Sequence, residues 1–208
     1  MKNKVELLGY YGSDETHACS AWTSTSRELT EEKTERIPKL LKYLADHKHE
    51  TPFEKSGLHF LVDTDIASHI HLLKHRIGVS INAESARYKE LKEDKIYVPA
   101  DLPMEWMANI ALFAKEGLKH YHACIDSLVN DHGFERSRAK EVARYFRTYN
   151  TQITADIMFN FRSFFHFLNL RNKPEAQKEI REIASEMLEL VQNIEGNPFK
   201  YTLKAFNL

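Results

Sequence analysis

The sequence predicts an α+β fold: a helix-dominated single domain over residues 1–208 with a small central, mostly antiparallel sheet. Three observations lead there. Seven glycines and six prolines are few for 208 residues, and low turn content favours helices. Apolar residues recur three and four apart over several long stretches, the period of an amphipathic helix. Between those stretches lie short runs that alternate, or that are rich in Thr, Ile and aromatic side chains, as strands are.

"KVELLGYY" alternates enough for an opening strand. Residues 14–24 read as a short helix followed by a polar loop. "TEEKTERIPKLLKYLADH" places Leu40, Leu41, Tyr43 and Leu44 at helical spacing, and Pro52 stops regular structure nearby. "GLHFLVDT" sets Leu58, Phe60 and Val62 against His59 and Leu61, the pattern of a half-buried strand. Thr64 or Asp63 then caps the helix "DIASHIHLLKHR". Lys74, His75 and Arg76 close that helix, where cations complement its dipole. "KIYVPAD" predicts a second strand. "PMEWMANIALFAKEGLKHYHACIDSLVNDHG" is a long amphipathic helix ending at Gly133, and "ERSRAKEVARYF" is another helix. "TYNTQITADIMFNF" predicts a strand. "RSFFHFLNLR" and "PEAQKEIREIASEMLELVQNI" are helices, the second starting at Pro174.

Composition narrows the function. A chain that is 42% hydrophobic and 28% charged can bury a proper core. Its net charge of −1, without a basic tail, argues against a nucleic-acid polymer as partner. No apolar run approaches the ~18 residues of a membrane span, and "MKNKVELLGYYG" lacks the apolar core of a signal peptide. Neither Cys19 nor Cys124 sits in a CxxC, so both read as reduced thiols of a cytoplasmic protein. His71 and His75 stand four apart, a metal-ligand spacing, but Lys74 and Arg76 flank them with positive charge that opposes a cation; no metal is expected.

Three stretches combine charge with apolar residues. "KHRIGVSINAESARY" crowds Lys74, His75, Arg76, Glu84, Ser85 and Arg87 among Ile77, Val79 and Ile81. Ser85 and Arg87 can donate to a phosphate, and Ala86 leaves its backbone N–H accessible. In "NFRSFFHFLNLR", Arg162, His166 and Asn169 fall on one helical stripe, and Arg171 is aimed nearly opposite Arg162. Such donors among phenylalanines call for a ligand with many acceptors. "HKHETPFEK" gathers His47, His49, Glu50, Thr51 and Glu54 around a Pro-Phe.

In this order, the "HETPFE", "KHR…SINAESARY" and "NFRSFFHFLNLR" stretches resemble the flavin-dependent thymidylate synthase family over about Leu40 to Ile183. That family has Arg-His-Arg, seven residues, then Ser. Here Lys74 stands for the first arginine, and eight residues, Ile77 to Glu84, separate Arg76 from Ser85. The extra residue falls within Ile77–Val79. "ARYFRTYN" replaces an Ala-Arg-x-x-Leu-Pro turn and keeps Arg144; Glu175 replaces a common histidine.

The resemblance implies a homotetramer with active sites built from several subunits, converting dUMP to dTMP. FAD would take reducing equivalents from NADPH, and methylenetetrahydrofolate would supply the carbon. No cysteine nucleophile is required. On the dUMP side it implies His71, Glu84, Ser85, Ala86, Arg87, Arg144 and Arg171. On the FAD side it implies Ser24, His49, Thr51, Glu54, Lys74, His75, Arg76, Asn160, Arg162 and His166. Arg171, His49 and Ser85 are the expected catalytic residues. The alternatives are a pyrimidine-nucleotide hydroxymethylase or a non-catalytic nucleotide-binding protein on the same scaffold.

Overall fold

The computed structural model describes residues 2–85, 87, 89–90 and 95–208. These form β1 (Lys4–Tyr11), α1 (Asp14–Trp22), α2 (Glu31–Asp46), β2 (Gly57–Asp65), α3 (Ile66–Leu73), β3 (Val79–Ala83) and α4 (Met104–Asn130). Then follow α5 (Arg136–Ala143), β4 (Gln152–Phe159), α6 (Phe161–Arg171), α7 (Lys178–Gln192) and α8 (Lys200–Ala205). Short 3-10 turns occupy Thr51–Glu54 and Arg144–Phe146. The α+β class holds, with helices dominant and one four-stranded sheet among the described residues.

The sheet runs β1-β2-β4-β3. Its register is legible in hydrogen bonds whose residue numbers rise on one strand as they fall on the next. Glu84 N donates to Thr154 O and Asn160 N to Gly78 O, so β3 and β4 are antiparallel. His59 bonds Asp156, and Thr154 Oγ1 donates to Asp63, which sets β2 against β4 the same way. Alternation then decides the faces: Leu58, Phe60 and Val62 are fully buried on β2, and Ala155, Ile157 and Phe159 on β4.

The chain gathers into two compact units, each discontinuous in sequence. One comprises Met1–Lys4, Asp63–Leu72 and Asn82–Ala155; the other comprises Val5–Val62, Leu73–Ile81 and Asp156–Leu208. The first has its own apolar cluster, in which Tyr121 and Ile125 of α4 meet Ala139 and Ala143 of α5. In the second, α6 presents Phe164 to Phe60 at 5.8 Å between ring centroids and Phe167 to Phe159 at 5.3 Å. Aromatic pairs at these separations add about 0.5–1.5 kcal/mol each beyond area burial.

Several element boundaries differ from the sequence pattern, each for a local reason. α3 is capped by Asp65, whose carboxylate accepts from Ser68 N at 2.9 Å; Asp63 and Thr64 belong to β2. α3 stops at Leu73, so Lys74, His75 and Arg76 follow the helix instead of closing it. Gly78 reverses the chain there with φ +65°, a conformation glycine adopts without steric penalty. The strand that follows is β3, Val79–Ala83, inside the charged stretch; alternate side chains stay exposed, as suits an edge strand. Among the described residues, "KIYVPAD" forms an isolated bridge from Ile96 to Thr151 and no strand, with Pro99 unable to donate. α7 begins at Lys178, not Pro174, with Gln177 at its N-cap. α8 has no counterpart in the sequence reading; six residues give too little periodicity to register.

Candidate active site

A clamp between the 77–78 turn and the start of α6 builds the site. Asn160 caps α6, its side-chain oxygen accepting from Ser163 N at 2.8 Å, while its own N–H donates to Gly78 O at 3.0 Å. Ser163 Oγ donates to Ile77 O at 2.6 Å. A Cβ at Gly78 would collide with Asn160 Nδ2 and Ser163 Oγ, so only glycine lets the turn close on this cap. The clamp falls where the sequence carries one residue more than the pattern it resembles, within Ile77–Val79. Its effect is to run Lys74, His75 and Arg76 along α6. With Ser163, His166 and Arg171 they line a cavity of about 240 Å³.

The electrostatics of that cavity are one-sided. Arg171 Nε donates to His75 Nε2 at 3.1 Å. The accepting Nε2 carries no proton, so this bond assigns His75 as the neutral Nδ1–H tautomer. His75 is buried and packs edge-on against Phe167 at 5.1 Å. Among the described residues, Lys74, Arg76 and Arg171 have no carboxylate partner. Three cations around one hollow without a counter-charge are arranged for an anion. Each charge-assisted hydrogen bond is worth about 1.5–3 kcal/mol.

Other residues expected on the flavin side are engaged differently. Arg162 Nε donates to Glu50 at 2.8 Å and Nη1 to Glu54. The hydrogen bond from Glu54, then that from Glu50, raises its pKa further. The expected Arg162–His166 stripe therefore splits: Arg162 goes to the 51–54 turn and His166 to the cavity. Thr51 opens that turn, with Pro52 beside it. His49 is exposed, near Tyr43 and His47, whose ring centroids lie 4.1 Å apart with the planes tilted by 30°. Ser24 is exposed and donates to Ala21 O at 3.2 Å.

The residues expected on the nucleotide side, apart from Arg171, belong to the other unit. Glu84 accepts from Lys89 Nζ and from Thr154 N at 3.2 Å. Burial pushes its carboxyl up, but those hydrogen bonds and the charges of Lys89 and Lys95 outweigh it and hold the pKa below the usual range. Ser85 Oγ accepts from Arg87 N at 3.3 Å, which leaves its own O–H to donate. Arg87 Nε is paired with Glu141 at 3.0 Å. Arg144 is exposed at the end of α5, and His71 lies in the last turn of α3. Ala86 lies outside the described residues. Sequence reasoning passed over Ser163, whose place three residues after a capping asparagine was the available signal.

Comparison with known proteins adds an independent line. The family model described as thymidylate synthase complementing protein matches residues 6–195. A flavin-dependent thymidylate synthase of Thermosipho melanesiensis is 30% identical, aligned over 91% of this chain and 85% of its own length. The one of Gluconobacter oxydans is 29% identical over 90% of this chain, which spans 66% of that relative. Among solved structures, a UMP/dUMP methylase PolB from Streptomyces cacaoi bound with 5-Br dUMP matches with TM-score 0.78 and 26% identity, covering 99% of this chain and 95% of that one.

Proposed function

The chain belongs to the thymidylate synthase complementing protein family, and from that premise we propose that it is a flavin-dependent thymidylate synthase: it methylates dUMP reductively to dTMP, with methylenetetrahydrofolate as carbon donor and NADPH-reduced FAD as hydride source. The observation that carries this reading is the hollow lined by Lys74, Arg76 and Arg171, three cations without a carboxylate among the described residues.

That donor set fits a flavin dinucleotide. Lys74 and Arg76 would hold its diphosphate as fixed cations, with Ser163 and His166 on the wall beside them. Bound flavin supplies the hydride-transfer chemistry that amino-acid side chains lack. Arg171 has given its Nε to His75, so its Nη donors remain to hold the pyrimidine and stabilise negative charge developing on it. Ser85 and Arg87 bind the substrate phosphate, Ser85 through its O–H and Arg87 through its guanidinium charge. Arg144 adds a second cation, and Glu84 and His71 bond the nucleoside. His49 is the expected catalytic histidine of the flavin side. The work of the chain is positioning and electrostatics, with no covalent enzyme intermediate.

The same reading makes the protein a cytoplasmic homotetramer, consistent with two unpaired, half-buried cysteines. Among the described residues no helix is long and apolar enough to cross a membrane, and no group of His, Cys, Asp and Glu could hold a metal ion.

Tritium release from [5-³H]dUMP in the presence of methylenetetrahydrofolate, NADPH and FAD tests the proposal. Release with a product of the mass of dTMP supports it. A hydroxymethyl product would favour the sister chemistry, and a colourless protein that binds nucleotide without release would favour a non-catalytic role. The likeness to a methylase of both UMP and dUMP favours running UMP in parallel.

A further inference from the structure

A second cavity lies wholly within the unit that holds α4 and α5. It measures about 1040 Å³, at the upper end of the ~300–1,000 Å³ usual for small-molecule sites. Its wall is aromatic: Trp106 and Phe113 from α4, and Tyr145, Phe146 and Tyr149 from the segment after α5. These are not stray surface residues, since Phe113, Tyr145 and Tyr149 are each more than two-thirds exposed and share one hollow. Gly117 sets the shape of the floor: a Cβ there would stand 2.5 Å from Phe146 O, so its absence lets the 144–146 turn seat directly on α4.

The wall also carries Glu116, whose charge is met by Lys119 at 3.0 Å, and one arginine. Arg147 lines the cavity, yet its Nε and Nη2 are buried and find no acceptor among the described residues. Burial pulls its pKa down, partly countered by Tyr121 and Glu84. Glu84 acts on Arg147 only through its charge: its printed hydrogen bonds are to Lys89 and Thr154 N. Two buried guanidinium N–H groups without an acceptor are costly, by about 1–3 kcal/mol each. It also stands where the resembled pattern has leucine, so packing alone does not require a charge at this position.

We propose that this cavity is a second ligand site, separate from the flavin hollow, for a planar aromatic anion whose ring packs on Trp106, Phe113 and Tyr149 and whose negative group is received by Arg147. Two sources share this chemistry: an aromatic carboxylate of the p-aminobenzoyl-glutamate type, and a nucleoside monophosphate.

The chain has two tryptophans, so Trp22→Phe leaves Trp106 as the sole reporter in the cavity wall. In that background, the full-length protein is titrated separately with p-aminobenzoyl-L-glutamate and with adenosine 5′-monophosphate while Trp106 emission is followed. Saturable change with one probe below about 1 mM is expected, and the probe that binds assigns carboxylate or phosphate as the source. Arg147→Leu should weaken that binding at least tenfold, the loss of about one charge-assisted hydrogen bond, without lowering the melting temperature. Tyr149→Ala, at an exposed ring, should weaken it several-fold and carries the test alone if Arg147→Leu does not fold. No Trp106 response to either probe, or unaltered affinity in Arg147→Leu, overturns the proposal. So does a change in sedimentation coefficient in Arg147→Leu, which would mean that a neighbouring copy supplies the acceptor.

Discussion

The Nε of Arg171 donates to the Nε2 of His75 across 3.1 Å, tying the last turn of α6 to the loop that follows α3. A single buried imidazole thus fixes the direction of the guanidinium. His75 is in turn oriented by the edge of Phe167, so a core aromatic reaches the site through one intermediary. Residues 96 apart in sequence become one hydrogen-bonded pair.

Removing that guanidinium should separate activity from folding. Arg171→Ala is expected to lower kcat/KM for tritium release by about 100-fold or more, the scale for losing one preorganised charge donor. Stability should fall by only about 1 kcal/mol, since His75 Nε2 loses one donor. Near-normal turnover with an intact circular dichroism spectrum would remove Arg171 from the mechanism.

Lys74 has no carboxylate partner among the described residues, so its charge is available to a ligand. Lys74→Arg should keep or raise flavin affinity, because arginine retains the charge and adds a planar fork. Lys74→Ala should weaken it by about tenfold, the equivalent of one charge-assisted hydrogen bond. Titration followed by flavin absorbance near 450 nm reads both, on an assay scale set by the cofactor's chemistry. Equal losses in the two variants would show that this side chain does not face the flavin.

Gly78 combines φ +65° with a Cβ position blocked by Asn160 and Ser163. Gly78→Ala should cost about 2 kcal/mol or more, from left-handed strain and the displaced cap together. Flavin affinity should fall with it, because Lys74 and Arg76 are placed by this turn. A urea midpoint unchanged from the parent would mean that the clamp is not under the constraint described.

His17 makes stability depend on pH. It is fully buried, with Nδ1 2.9 Å from Thr202 Oγ1 and Nε2 2.9 Å from Ser56 Oγ. Thr202 gives its own proton to Asp14 at 2.6 Å, so Thr202 Oγ1 accepts from His17 Nδ1–H, and Nε2 accepts from Ser56. Burial lowers the His17 pKa to about 4 from 6.5. Between those values the unfolded chain binds the proton and the folded one resists it. Stability from this group is therefore complete above about pH 6.5 and is lost as pH falls towards 4, by about 3 kcal/mol. Asp14 acts in the opposite sense: burial raises its pKa against its three hydrogen bonds, so its contribution grows as pH falls. Urea denaturation at pH 7 and pH 5 should show the loss, and His17→Gln should shrink the difference. Equal shifts in parent and variant would place the pH dependence elsewhere.

Strongly periodic elements were legible in the chain: β1, β2 and the long α4 follow from alternation or helical spacing, and β4 from its Thr, Ile and aromatic content. β3 was hidden because an edge strand of five residues shares its sequence with functional charges. The cations of the hollow and Arg162 were legible as residue types. Their engagement was not: nothing in the spacing of Arg162, Glu50 and Glu54 foretells that the three form one ion-pair group. Likewise, Arg147 reads as one more surface arginine until its Nε and Nη2 prove to be buried without acceptors among the described residues.

By itself the sequence determined which side chains were on offer, the fold class, and the order of the motifs, because local periodicity and residue chemistry are carried in neighbouring positions. Tertiary structure alone decided which charges are neutralised and which remain free for a ligand. A guanidinium's state depends on the nearest acceptor in space, and for Arg171 and His75, or Arg162 and its two glutamates, that neighbour lies about a hundred residues away along the chain.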